Sequence, residues 1–66
     1  MNRWELIRFE KGFTHRQVAE GSGVSLSTVI RLERNGQKPG AGTVKALADF
    51  YGVSVADLLG LEEAAA

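Results

Sequence analysis

The residues with the clearest capacity for chemistry lie between Val24 and Glu33, and the chemistry they offer is hydrogen bonding to another molecule. Ser27, Thr28 and Arg31 supply two hydroxyl groups and a guanidinium within this short stretch. Arginine can form a bidentate hydrogen bond with O6 and N7 of guanine, and a threonine methyl group can contact a thymine methyl group. We therefore interpret the stretch as a helix that fits the major groove of double-stranded DNA.

Catalytic chemistry has little support in the sequence. The chain has one histidine and no cysteine, and its carboxylates are scattered, so no metal-ligand cluster or catalytic triad is visible. The glycines mark the ends of predicted helices and do not form a G-x-x-x-x-G-K-[ST] phosphate-binding loop. We expect a protein that is not an enzyme and that has no metal, no cofactor and no small-molecule ligand.

The helix that carries the proposed contact residues has a recognisable start and an inward side. Ser25 lies where an N-cap is expected, because its hydroxyl group can accept a hydrogen bond from a free backbone N–H group. Val29 and Leu32 are three residues apart and therefore share one side of the helix, which we predict to be buried. The helix is expected to run from Ser25 to about Arg34.

A second helix is predicted immediately before it. Thr14 and Gln17 form the T-x-x-Q pattern of a capping box, which indicates a helix over residues 15–21. The turn over residues 21–23 contains two glycines and separates this helix from the next. Two helices joined by a short glycine-containing turn are a helix-turn-helix arrangement.

Three more helices are predicted, and no strand. The first covers residues 1–11, the fourth follows an N-cap at Thr43, and the fifth follows an N-cap at Ser54. Apolar residues at helical spacing define the inward positions, and Phe13 is a further core candidate. The inward positions are Trp4, Leu6, Ile7 and Phe9 in the first helix and Val44, Leu47, Ala48 and Tyr51 in the fourth.

Length and composition predict a single small domain. A chain of 66 residues buries only about 60% of its unfolded surface, so we expect modest stability. No apolar run approaches the roughly 20 residues that span a membrane, and no signal peptide is visible, so we expect a cytoplasmic protein. The domain is expected to cover residues 1–61, with a frayed tail over residues 62–66.

The charges are balanced overall but unevenly distributed. The formal net charge is zero, which argues weakly against nucleic-acid binding. Residues 15–45 contain five basic and two acidic side chains, whereas residues 46–66 contain four acidic side chains and no basic one. This asymmetry fits either a basic face on a neutral protein or ordinary solvated charge.

The ordered series of motifs resembles the Xre/Cro-type helix-turn-helix family, which includes phage repressors and many small bacterial regulators. The resemblance covers about residues 4–59, and its motifs are GFTHRQVA at 12–19, SGVS at 22–25, TVIRLE at 28–33, Pro39, TVKALA at 43–48, YGVS at 51–54 and DLL at 57–59. It implies an all-α, compact five-helix lambda-repressor-like domain. It also implies sequence-specific DNA binding by the third helix.

The resemblance implies roles for residues at matching positions. The base-contacting set would be Leu26, Ser27, Thr28 and Arg31, and the phosphate-contacting set would be His15, Ser25, Arg34 and Lys38. Arg8 and Glu33 match a pair that forms a buried structural salt bridge. His15 departs from the commoner glutamine, and Leu26 departs from a position that is usually polar.

We expect a transcriptional regulator, specifically a repressor, of bacterial or phage origin that acts on the nucleoid. A homodimer on a two-fold operator would cover enough base pairs for useful affinity. The apolar surface expected to join the two copies is Phe50, Val55, Leu58, Leu59 and Leu61. The alternative is a helix-turn-helix protein-interaction module, such as an antitoxin or adaptor, which the zero net charge and the apolar Leu26 and Ile30 favour.

Overall fold

Three of the described helices begin after a residue whose side chain caps them, as the sequence predicts. A computed structural model describes residues 2–35 and 39–59, which form five helices and no strand, so the predicted all-α class is confirmed for this part of the chain. The helices are α1 (Arg3–Lys11), α2 (His15–Ser22), α3 (Leu26–Asn35), α4 (Ala41–Tyr51) and α5 (Val55–Leu59).

The predicted capping box at the start of α2 is confirmed. The Thr14 hydroxyl group accepts a hydrogen bond from the backbone N–H of Gln17 at 3.1 Å, and the Gln17 side chain accepts one from the backbone N–H of Thr14 at 2.8 Å. Each such cap contributes about 1 kcal/mol. The N-cap predicted at Ser54 is also confirmed, since its hydroxyl group accepts a hydrogen bond from the Asp57 N–H at 3.0 Å.

The predicted start of α4 was wrong. The helix begins at Ala41, with Gly40 as its N-cap, and the Val44 N–H donates to the Gly40 carbonyl oxygen at 3.0 Å. Thr43 therefore lies within the first turn. Gly42, which lies within the helix, costs it only about 1 kcal/mol. The burial of four α4 side chains outweighs that cost.

One core joins α2, α3, α4 and α5. Its members are Val18, Val29, Leu32, Val44, Leu47, Ala48, Tyr51 and Leu58, each with at most 6% of its surface exposed. The predicted inward positions of α3 and α4 are all among them. Trp4, Ile7 and Phe13 are half-buried and pack against this core.

The inward side of α1 is narrower than predicted. Leu6 is 47% exposed and Phe9 is 55% exposed, so neither is a core residue. The buried residue of α1 is instead Arg8, whose charge is compensated by the carboxylate of Glu33 on α3. The apolar spacing indicated an apolar stripe, but the sequence alone does not show which part of it other helices cover.

A glycine allows α2 and α4 to approach each other. A Cβ atom at Gly21 would overlap the ring of Phe50. That ring lies 4.9 Å from the ring of Phe13 and 5.3 Å from the ring of Tyr51, measured between centroids. Gly21, whose helix propensity is poor, thus provides the space in which Phe50 packs.

Candidate nucleic-acid interface

Helix α3 has a buried side and an exposed polar side. Val29 and Leu32 are 4% and 3% exposed and hold the helix in the core. Ser27, Arg31 and Arg34 are exposed and lie four and three residues apart, so they share the opposite side. The core therefore fixes the orientation of α3 and presents these three side chains to solvent.

The start of α3 is held by hydroxyl groups that bond to one another. The Ser25 hydroxyl oxygen accepts from the Thr28 backbone N–H at 3.2 Å, as expected of an N-cap, and its proton is donated to the Thr28 hydroxyl oxygen at 2.7 Å. The Ser27 hydroxyl oxygen lies 3.4 Å from that of Ser25. Thr28, which is half-buried, keeps its own hydroxyl proton for a further acceptor.

Two guanidinium groups lie on the exposed side of α3 without an acidic partner among the residues that the structure describes. Arg31 and Arg34 border a shallow hollow that is completed by Ser27, Ile30 and Asn35. In the described segments, neither group forms an ion pair. Their donors and charges are therefore available to an anionic molecule.

Glu33 is on α3 as well, but its carboxylate points into the protein. It accepts hydrogen bonds from Arg8 Nε at 2.7 Å and Arg8 Nη2 at 3.0 Å, and the two side chains are only 7% and 9% exposed. Arg8 Nη1 donates to the Phe13 carbonyl oxygen at 3.0 Å. The structure thus contains the buried pair that the resemblance implied, and it removes the acidic charge of α3 from the exposed side.

The environment of this pair keeps both groups charged. Burial opposes ionisation of Glu33, but the hydrogen bonds from Arg8 and His15 outweigh it and lower the pKa of Glu33 below 4.5. The hydrogen bond to Glu33 raises the pKa of Arg8. The pair is therefore an ion pair at neutral pH.

His15 has a partner that the sequence did not suggest. Its Nε2 atom lies 3.0 Å from Oε1 of Glu33, while 40% of its side chain remains exposed. His15 is the first residue of α2, so it connects the start of α2 to α3. The two residues are 18 positions apart, and no local pattern in the sequence predicts their contact.

Asn2 is a structural residue beside α3 whose role was not predicted from the sequence. Its Oδ1 atom accepts from the Glu5 N–H at 3.1 Å and so caps α1. Its Nδ2 atom donates to the carbonyl oxygens of Leu32 and Glu33 at 2.7 and 3.0 Å, which lie in the last turn of α3. One side-chain amide thus forms hydrogen bonds with backbone groups at the start of α1 and in the last turn of α3. Such groups at helix ends lack partners within the helix.

A family model described as Helix-turn-helix matches residues 5–58. The chain belongs to the Xre/Cro-type helix-turn-helix family. Over 53 residues it is 40% identical to the cryptic phage CTXphi transcriptional repressor RstR of Vibrio cholerae, an alignment that covers 80% of this chain and 48% of that protein. The chain therefore spans about half the length of this curated relative. No solved structure matches the chain.

In this helix-turn-helix domain, α2 and α3 are the two helices of the motif. Gly23 ends α2 with a φ of 80°, a left-handed conformation that glycine adopts without strain, and its N–H donates to the Ala19 carbonyl oxygen. Gly23, Val24 and Ser25 then lead directly into α3. The turn is short because a glycine ends one helix and a serine caps the next.

The other residues predicted to contact DNA lie in different environments. Leu26, at the first position of α3, is 37% exposed, and Ser25 is exposed beside it. Ile30, which is not in the predicted set, is half-buried and borders both the hollow beside Arg31 and a second hollow beside His15. Lys38 lies outside the described residues.

The predicted dimer surface needs one correction. Leu58 is fully buried in the core, at 0% exposure, so it offers nothing to a second copy. Phe50 is half-buried against α2. Val55 and Leu59 are 40% and 39% exposed, and they border an apolar groove with Pro39, Ala41 and Val44. Leu61 lies outside the described residues.

Neither a metal-binding cluster nor a membrane-spanning helix is present in the described segments. They contain no group of three or more histidine, cysteine, aspartate or glutamate side chains placed to hold a metal ion. None of their helices has the length and apolar character needed to cross a membrane.

Proposed function

We propose that this chain is the DNA-binding domain of a transcriptional repressor and that α3 enters the major groove. The observation that carries the proposal is the separation of charge on α3. The acidic Glu33 is neutralised inside the protein by Arg8, whereas Arg31 and Arg34 are exposed without a partner among the described residues. Membership of the helix-turn-helix family and similarity to a phage transcriptional repressor support the same function.

In the proposed complex, the exposed side of α3 reads base edges. Arg31 donates a bidentate hydrogen bond to a guanine, which is the commonest specific contact between an arginine and DNA. Ser27 and Thr28 donate hydroxyl protons to base acceptors, and Leu26 makes apolar contact with a thymine methyl group. Because only one of these side chains is a strong reader, DNA shape contributes the rest of the specificity.

Phosphate contacts position the domain in this proposal. Arg34 and Lys38 supply positive charge on the C-terminal side of the base-contacting residues. His15 lies at the N-terminus of α2, where backbone dipoles favour an anion. Ser25 makes a weaker contact, because its hydroxyl proton already bonds to Thr28 and must leave that oxygen to reach a phosphate. The domain therefore relies mainly on its side-chain cations for the phosphate contacts.

Two copies of the chain bind a two-fold operator in this proposal. Their recognition helices enter successive major grooves, about 34–36 Å apart. The exposed Val55 and Leu59, beside the apolar groove, are the described residues best placed to join the copies. Such a repressor acts where its operator lies, on bacterial or phage DNA in the cytoplasm.

A protein-interaction role is the second candidate. Leu6 and Phe9 form an exposed apolar pair one turn apart on α1, and Leu26 is exposed at the start of α3. An antitoxin or adaptor would use such residues to bind another protein. This role needs no positively charged face, so the exposed Arg31 and Arg34 favour DNA binding over it.

Selection of bound sites from a random duplex pool tests the proposed function. We expect one motif to be enriched, with affinity that falls steeply as salt rises. Arg31→Ala is expected to cost about 1–3 kcal/mol and to relax the preference at one base pair. Lys45→Ala is the matched control, because it also removes one exposed positive charge but lies on α4, paired with Asp49 at 3.3 Å.

Two results would contradict the proposal. One is a pool that shows no enrichment at low salt, which would favour the protein-interaction role. The other is equal loss of affinity in Arg31→Ala and Lys45→Ala with an unchanged motif, which would mean that Arg31 contributes only charge.

A further inference from the structure

We propose that DNA binding by this chain takes up a proton at His15, so that its affinity for DNA rises as the pH falls. The inference rests on the proposed function and adds a regulatory property to it. It follows from the hydrogen bond between the His15 ring and Glu33, from the partial exposure of that side chain, and from its position beside Arg34 of α3.

The contact with Glu33 determines which ring nitrogen of neutral His15 carries the proton. Glu33 is held as a carboxylate by two hydrogen bonds from Arg8, and a carboxylate only accepts hydrogen bonds. His15 Nε2, 3.0 Å from that carboxylate, must therefore donate. In a neutral imidazole the other nitrogen, Nδ1, then has a lone pair and no proton.

A phosphate group also accepts hydrogen bonds only. With Nε2 bonded to Glu33, a ring contact to phosphate must come from Nδ1, and Nδ1 can donate only when the ring is an imidazolium. Neutral His15 instead presents a lone pair to the phosphate oxygen, which is repulsive. Phosphate binding and protonation of His15 therefore favour each other, and this coupling is reciprocal.

His15 lies close to the exposed side of α3 that is proposed to meet DNA. It borders a hollow whose other members are Glu5, Ile30, Glu33 and Arg34. Ile30 and Arg34 also border the hollow beside Arg31. The two hollows are therefore neighbours. A DNA phosphate that contacts Arg34 at the edge of the major groove is consequently near the His15 ring.

The charged groups around His15 oppose one another in the free protein. Two carboxylates, those of Glu33 and Glu5, and the guanidinium of Arg34 border the same hollow as the ring, Arg16 follows His15 in α2, and the ring lies at the positive N-terminal end of that helix. Arg8 forms an ion pair with the same Glu33 carboxylate. A DNA phosphate adds negative charge on the exposed side of the ring, so binding shifts the balance toward the imidazolium.

The composition of the chain makes this coupling measurable. Histidine changes its charge between about pH 5 and 8, and the chain contains one histidine and no cysteine. The selected duplex does not titrate in this range. If a His15 variant loses the pH dependence of DNA binding, that dependence can therefore be assigned to the His15 ring.

The test measures the affinity for the selected duplex from pH 5.5 to 8.0 at constant ionic strength. For the wild type we expect affinity to rise as pH falls, by up to about tenfold per pH unit where one proton is taken up. His15→Gln is the matched variant, since its amide donates at every pH, and we expect it to bind with little pH dependence. Calorimetry in two buffers of different ionisation enthalpy should show uptake of up to one proton by the wild type only.

The possible results distinguish proton uptake at His15 from the proposed DNA binding itself. Binding without pH dependence, or with the same dependence in His15→Gln, would overturn the inference and leave the proposed function standing. If the wild type binds no duplex at any pH, both fail. Circular dichroism checks that His15→Gln is folded, so that a loss of slope is not a loss of structure.

A second measurement needs no variant and no DNA. Nitrogen chemical shifts of the His15 ring in the free protein, at a pH where the ring is neutral, report which nitrogen carries the proton. We expect the proton on Nε2. A proton on Nδ1 would contradict the geometry on which the inference depends.

Discussion

The charged side chains on the two sides of α3 differ in their exposure and in their ion pairing. On the inward side, the Glu33 carboxylate is nearly inaccessible and accepts hydrogen bonds from both Arg8 and His15. On the outward side, Arg31 and Arg34 are exposed and form no ion pair with any described residue. A net charge of zero conceals this difference, because it counts an internally neutralised acid equally with exposed bases.

The comparison predicts that inward and outward charges contribute to different properties. A buried charge that loses its partner destabilises the fold, whereas an exposed charge contributes little to stability and much to binding a polyanion. Variants that each lose one charge or one hydrogen bond test this difference, with stability and DNA affinity measured on each.

The largest loss of stability is expected from Glu33→Gln. This change leaves the buried guanidinium of Arg8 without a counter-charge, which costs about 3–5 kcal/mol. A chain of this length has only about 3–10 kcal/mol in total, so the variant should be marginally folded. Urea unfolding at low temperature measures the change, and the double variant Arg8→Met with Glu33→Gln should recover part of the loss. A loss below about 1 kcal/mol would contradict a structural role for the pair of Arg8 and Glu33.

Acid provides the control for this variant, because it removes the same charge in the wild type. The pKa of Glu33 is lower in the folded chain than its ordinary value of 4.5. The pair therefore contributes fully above the unfolded-state pKa, and its contribution declines as the pH falls through the lower, folded-state pKa. The stability difference between wild type and Glu33→Gln should thus shrink progressively below about pH 4.5. A constant difference down to pH 2.5 would contradict this account.

An intermediate loss is expected at Asn2, which holds the end of α3 from the inward side. Asn2→Ser keeps an oxygen that can cap α1, but it lacks the amide that reaches Leu32 and Glu33. We expect it to cost about 1–2 kcal/mol, because two carbonyl groups lose their donor. Asn2→Ala removes the cap as well and should cost about 1 kcal/mol more. Equal stability of wild type and Asn2→Ser would show that the cap alone matters.

Much of this architecture could be predicted from local patterns. The inward positions Val29 and Leu32 followed from helical spacing, and the capping box of Thr14 and Gln17 followed from residue types three apart. These features depend on interactions within one helix or at its ends. Both patterns can therefore be read from the sequence without knowing how the helices pack.

The features that were missed depend on packing between helices. Phe9 fits the apolar spacing of α1, but no described helix covers it. The bonds from His15 to Glu33 and from Asn2 to Leu32 join residues 18 and 30 positions apart. The salt bridge of Arg8 was anticipated only through family resemblance, because an arginine in an apolar stripe does not identify its partner.

The smallest change in stability is expected on the outward side, at Arg34. Arg34→Ala should alter the free energy of unfolding by no more than about 0.5 kcal/mol, because the side chain is exposed and forms no ion pair among the described residues. The same variant should bind DNA more weakly by a similar factor at every sequence, and its salt slope should be shallower by about 1. Urea unfolding and binding at several salt concentrations measure the two effects. A destabilised Arg34→Ala with unchanged DNA affinity would reverse the comparison, since Arg34 would then be a structural charge like Arg8.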